Sequence, residues 1–129
     1  MNSVNEVLYH EGETRVTLTS DQANGLVVKF TGTIEHPNPG EFLDPLLLQV
    51  HEAAMGQKVT QVSADFSELD FLNSSGIKSF VKWIMNHLQQ DAAERYQLRF
   101  VYSPAITWQQ STLKALTVLS RGAITLSAV

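Results

Sequence analysis

The sequence predicts an α/β domain: a mixed β-sheet of about four to five strands with helices packed against it. Three observations predict it. Two β-branched stretches, residues 14–19 and 26–34, flank a turn sequence and read as a hairpin. Beyond them strand and helix patterns alternate, which implies right-handed crossovers and some parallel pairing, while the hairpin makes the sheet mixed. The composition, 43% hydrophobic and 17% charged over 129 residues, is that of one globular domain able to bury a core without crosslinks.

In chain order, "TRVTLT" alternates with Val16 and Leu18 on one face. "SDQANG" supplies turn chemistry ending in Asn24-Gly25, and "LVVKFTGTI" returns alongside the first strand. "EHPNPG", with two prolines and a glycine, is a loop. Asp44 followed by Pro45 reads as an N-cap with proline at N1, opening a helix that shares Leu46, Leu47, Val50, Ala53 and Ala54 on one face and ends at Met55-Gly56. "VTQVSADF", 59–66, is a strand. From Ile77 the positions Phe80, Val81, Ile84, Met85 and Leu88 define the stripe of an amphipathic helix. "QLRFVY", 97–102, gives another strand. Ser103-Pro104 repeats the cap-plus-proline start for a helix running towards Arg121-Gly122, and "AITLSAV" is an edge strand or a tail.

Charge and composition exclude several functions. With 9 Lys and Arg against 13 Asp and Glu, the net charge of −4 offers no general attraction to phosphate backbones or anionic lipid. The chain has no cysteine, which removes disulfides, thiol catalysis and Cys-ligated zinc and suits a reducing compartment. The N-terminus lacks a secretory signal and no apolar run spans a bilayer, so a cytoplasmic protein is expected. His10, His36, His51 and His87 show no metal-ligand spacing, and neither a nucleophile elbow nor a phosphate-binding glycine pattern occurs. No catalytic residue, metal site or cofactor is expected.

The informative stretch is "LDFLNSSGIKSFVKWI", residues 69–84. Asn73 reads as the N-cap of the helix, with Leu72 at N′ and Ile77 at N4 placed for a hydrophobic staple. Capping accounts for one small polar residue. It does not account for Ser74, Ser75 and Gly76 in succession, since serine and glycine are poor helix formers. A phosphate on Ser74 would be tolerated at a helix N-terminus while adding roughly 1.5 to 2 negative charges, and Asp65, Glu68 and Asp70 would make its surroundings acidic. Plain capping and a switch are both open on local sequence. Trp83 lies off the apolar stripe, near Ser79 and His87, where it either forms a binding hot spot or lies against a neighbouring helix. Lys78 and Lys82 form a solvated face with partner contact as a second role.

Three motifs in order resemble those of STAS domains, the fold of bacterial anti-sigma-factor antagonists. "FTGTIEH", 30–36, is similar to the family's "LTGELD" strand end; "ADFSELDFLNSSG", 64–76, to its "DxSxxxxxDSSG" signature; Ser103, Pro104 and Ala105 to a later "SPA" that opens a helix. The resemblance covers about residues 14–121 and implies a single STAS domain over 1–129, with 1–13 an N-terminal extension, 14–121 the core and 122–129 a C-terminal strand or tail. It implies a protein-interaction module in transcription regulation rather than an enzyme. The first serine of the pair, here Ser74, would be phosphorylated by a partner that is itself an anti-sigma factor and serine kinase, and phosphorylation would break the complex. Asn73, Ser75, Gly76, Lys78, Ser79, Lys82 and Trp83 are the expected contact residues. The resemblance implies neither direct nucleic-acid binding nor membrane insertion, and leaves a homodimer open. The family's aspartate before the serines is Asn73 here, a lost charge that bears on kinase recognition. A STAS scaffold that never cycles through phosphorylation, for example in a transporter-associated complex, is the alternative.

Overall fold

The computed structural model describes residues 5–21 and 24–129. Among them, strands β1 (Asn5–Glu11), β2 (Thr14–Asp21), β3 (Gly25–Ile34), β4 (Gln61–Leu72), β5 (Gln97–Tyr102) and β6 (Ile124–Ala128) form one sheet in sequential order. Helices α1 (Gly40–Gln57), α2 (Ser74–Leu88) and α3 (Thr107–Leu119) are the successive crossovers. β1, β2 and β3 pair antiparallel and β3 to β6 parallel, so the sheet is mixed as expected. It has six strands rather than four to five. The surplus comes from residues 5–11: the segment expected to be an extension pairs with β2 as an edge strand, and the C-terminal stretch is the opposite edge. Gln22 and Ala23, in the predicted β2–β3 turn, lie outside the described residues.

Val28, Ala64, Phe100 and Leu126 share one register row, and the same face carries Val16, Leu18, Phe30, Phe66 and Leu98. This face is the core. Phe80 of α2 meets Phe30 and Phe66 edge-on, with ring centroids 5.2 and 5.1 Å apart, so α2 sits over the middle of the sheet. Residues of opposite parity, such as Lys29, Asp65 and Val101, remain only partly buried.

Three predicted boundaries move. α1 starts at Gly40, with Pro39 and not Asp44 as N-cap, because Phe42 and Leu43 donate to the Pro39 carbonyl and Phe42 stacks on Tyr9 at 3.9 Å. Packing thus outweighs Pro45, which lies inside the helix. The same helix passes Gly56 and ends where Lys58 adopts the left-handed conformation (φ 53°). α3 begins at Thr107: Ser103 accepts the Ala105 N–H at 3.3 Å in a turn, but Ile106 is extended and restarts the chain as a helix.

Gly32, in the "FTGTI" motif, is fixed by close approach. Its φ is +88° and a Cβ would stand 1.5 Å from the Glu13 carbonyl oxygen.

Candidate functional site

β4 is longer than predicted and builds the site. Its pairing with β5 stops at Asp65–Val101, whereas β3 stays beside it to Ile34–Leu72. The carbonyls of the overhang would lack partners on the β5 side, and two side chains of α3 supply them. Buried Gln109 donates from Nε2 to the carbonyls of Phe66 and Leu69 (2.9 Å to the latter), and Trp108 Nε1 donates to the Asp70 carbonyl at 2.8 Å. Gln109 Oε1 accepts the Ser103 N–H at 2.7 Å, so the amide is used at both ends. The strand end that precedes Ser74 is therefore held by β3 on one edge and α3 on the other.

At its tip the Asn73 N–H donates to the Ile34 carbonyl at 3.0 Å. Asn73 is the N-cap of α2, as predicted, with Oδ1 accepting the Gly76 N–H at 2.8 Å. Its Nδ2 donates to the His36 carbonyl, also at 2.8 Å, tying the β3–α1 loop to the helix start. An aspartate would keep the cap and lose this second bond, because a carboxylate has no donor. Gly76 keeps the turn close-packed: a Cβ there would meet Leu72 Cδ1 at 2.5 Å and Ile34 Cγ2 at 3.4 Å, so the Leu72 side chain would have to shift. That explains one of the three small residues.

The serines are explained differently. Ser74, the first helical residue, is exposed and Ser75 half-buried; neither side chain makes a hydrogen bond among the described residues. Their backbone N–H groups, at N1 and N2, have no intrahelical acceptor. Lys78 is exposed, and α2 contains no Asp or Glu. Lys82 is exposed but engaged, its Nζ 2.8 Å from Asp44 Oδ2 on α1. Burial pushes the Asp44 carboxyl up, yet the Lys82 ammonium and the Ser79 hydroxyl together hold it below its usual value.

Three expected contact residues, Gly76, Ser79 and Trp83, are buried. Trp83 is only 1% exposed and Ser79 3%, so neither belongs to an outer face. α2 packs on α1 as well as on the sheet, so its buried face spans Gly76, Ser79, Phe80, Trp83, Ile84 and His87 and includes polar residues, while Met85 of the predicted stripe is 49% exposed. Trp83 Nε1 donates to the Tyr96 hydroxyl at 2.9 Å, and that hydroxyl lies 2.7 Å from His51 Nδ1. His87 Nε2 lies 2.7 Å from the Tyr96 carbonyl oxygen. With its oxygen accepting from Trp83, Tyr96 donates to His51 Nδ1. His87 must itself donate, which leaves its buried Nδ1 without a partner among the described residues. Burial lowers the pKa of both imidazoles, that of His51 further through His87, and raises that of the Tyr96 phenol.

The acidic surroundings also resolve. Asp65 Oδ1 accepts the N–H and hydroxyl of Ser67 at 2.9 and 2.6 Å, and Glu68 pairs with Lys29; Asp70 alone of the three is left to solvent. Sequence reasoning missed Trp108 and Gln109, and also exposed Phe71 on the β4 overhang (46%). It missed the cluster of Tyr9, His36 and Phe42 beside the Asn73 contact as well. Only the "SPA" turn just before Trp108 hinted at the first pair. Among the described residues no group of three or more His, Asp or Glu is arranged to hold a metal ion, and no helix is long and apolar enough to cross a membrane.

No protein-family profile matches the chain, and no curated protein does either. Solved structures do. SiaC of Pseudomonas aeruginosa superposes over 100% of both chains with a TM-score of 0.65 at 16% identity. An anti-sigma factor antagonist from Mycobacterium paratuberculosis matches 88% of this chain and 83% of its own, with a TM-score of 0.54 at 21% identity. An uncharacterised Shewanella loihica protein described as having a SpoIIAA-like fold matches 92% of this chain and 88% of its own, at 0.56 and 15%. At these identities the likeness is one of fold. The chain has the SpoIIAA-like, STAS-type α/β fold that its three motifs suggested.

Proposed function

We propose that the chain is a protein-interaction module of the anti-sigma-factor-antagonist type, not an enzyme, working without a cofactor in the cytoplasm. Its partner surface is the β4–α2 junction, and phosphorylation of Ser74 by a partner serine kinase or anti-sigma factor is its switch. The observation that carries the reading is the Ser74 hydroxyl: exposed, free of hydrogen bonds among the described residues, and placed beside a cap that is complete without it. Modification there leaves the fold intact and changes only the surface. The contact set is Ser74, Ser75, Lys78 and Lys82 with exposed Phe71. Asn73 and Gly76 shape the turn, and buried Ser79 and Trp83 drop out.

A second reading is favoured by the full-length match to SiaC, which is also solved in complex with the diguanylate cyclase SiaD as its activator. Here the chain uses the same junction to hold a catalytic partner constitutively and Ser74 is not modified.

One experiment separates them. Protein isolated from its native host with phosphatases blocked is examined by intact-mass and peptide-mapping mass spectrometry, and copurifying partners are compared for Ser74→Ala and Ser74→Asp. Phosphate on Ser74 together with partner loss in Ser74→Asp is expected. Equal partner recovery from both variants, without phosphate in any growth condition, would overturn the switch in favour of the constitutive complex.

A further inference from the structure

We propose that Lys78 receives the phosphate on Ser74, so that modification withdraws an exposed cation of the α2 surface as well as adding negative charge. The proposal rests on the reading of Ser74 as phosphoacceptor and names how that site is read out. Lys78 stands four residues after Ser74 on the same helix, the spacing at which side chains meet across one turn, with the anion N-terminal to the cation as such pairs prefer. It is exposed, makes no ion pair among the described residues and finds no acidic residue on its own helix. Lys82 cannot substitute. It lies about 12 Å along the axis from Ser74, at 1.5 Å per residue, and is already held by Asp44.

The start of the helix is suited to the same anion. The Ser74 and Ser75 N–H groups have no intrahelical acceptor, whereas the Gly76 N–H is taken by Asn73 and the Ile77 N–H by the Asn73 carbonyl. A phosphate therefore gains two amides and one ammonium without displacing an existing bond. In the unmodified protein, with Lys82 neutralised by Asp44, Lys78 is unpaired among the described residues and suits an acidic group on the partner. Once phosphorylated, the protein satisfies Lys78 internally and presents the excess negative charge outward.

The test installs phosphoserine at position 74 during synthesis by genetic-code expansion and follows its 31P resonance against pH at low salt. In the otherwise wild-type chain the second phosphate pKa should fall below its usual value of about 6. It should move back up by several tenths of a unit in Lys78→Gln, and stay low in Lys78→Arg and in Lys82→Gln. Superimposable titrations for the wild type and Lys78→Gln would overturn the proposal, as would an equal shift on Lys82→Gln. Because no kinase is needed, the outcome is independent of whether the native protein is ever phosphorylated, which the mass measurement decides.

Discussion

The two ends of α2 are built on opposite principles. At its start the side chains are small, the hydroxyl of Ser74 faces solvent, and two backbone donors are left open. Near its end Trp83 and His87 are sealed against Tyr96 and His51, where almost every polar atom has one partner and no solvent to replace it. A change at the first end alters what a partner meets; a change at the second strands a buried polar group, whose loss is not compensated by water. The contrast lets one helix carry a variable surface on a fixed frame.

The largest expected effect is therefore far from Ser74. Trp83→Ala should destabilise by about 3 to 5 kcal/mol, the range for removing a large buried aromatic side chain. Trp83→Phe should keep most of the packing and still cost about 1 to 3 kcal/mol, because the Tyr96 oxygen loses its donor. Urea unfolding of both variants measures this. Equal values for Phe and Ala would show that the hydrogen bond, not the ring volume, dominates.

Acidification should act on the same end. His51 and His87 have folded pKa values below the usual imidazole value of about 6.5. The unfolded chain thus binds protons first, and the stability these groups contribute is complete above about 6.5 and lost as pH falls from there through their lowered values. Unfolding free energy should hold from pH 7.5 to about 6.5 and drop from there to 5.5, and Ser74→Ala should leave the slope unchanged. A flat profile over that window would mean that the imidazoles are not kept neutral by the fold.

The same contrast explains what could be read from sequence. The Asn73 cap, the β2–β3 hairpin and β5 were legible because short-range chemistry decides them. The overhang of β4 was not, since register shifts beside Thr31 and Thr33 break its alternation and its outer edge is satisfied by Trp108 and Gln109, some 40 residues away in sequence. Sequence left Trp83 undecided between a hot spot and a neighbouring helix, and it lies buried on the α1 side, for a related reason. An apolar stripe locates a buried face only if that face is purely apolar, and here Ser79, Trp83 and His87 complete it through contact with α1 and the segment before β5. The phosphoacceptor was legible only through family resemblance, because an exposed hydroxyl carries no local signature of a kinase.

Gly76 lies between the extremes. It belongs to the exposed turn by sequence but packs like the buried end, since a Cβ would press on Leu72 and Ile34. Gly76→Ala should cost roughly 1 to 2 kcal/mol, overpacking exceeding the gain in helix propensity. Combining it with Leu72→Val should recover part of that loss, because the two sites share one contact. Strict additivity of the two changes would place the strain elsewhere.

The smallest effect on stability should fall on Ser74 itself. Ser74→Ala removes a hydroxyl with no hydrogen bond among the described residues and should change unfolding free energy by less than about 0.5 kcal/mol. Ser74→Asp puts a carboxylate beside open helix amides and should stabilise slightly, by about 0.3 to 1 kcal/mol at low salt. The aspartate can also reach Lys78 at the favourable spacing, so in Lys78→Gln part of that gain should vanish. A destabilising Ser74→Asp would contradict the picture of a turn that tolerates an anion. It would then be hard to see how phosphorylation there could switch a partner without also unfolding the helix that binds it.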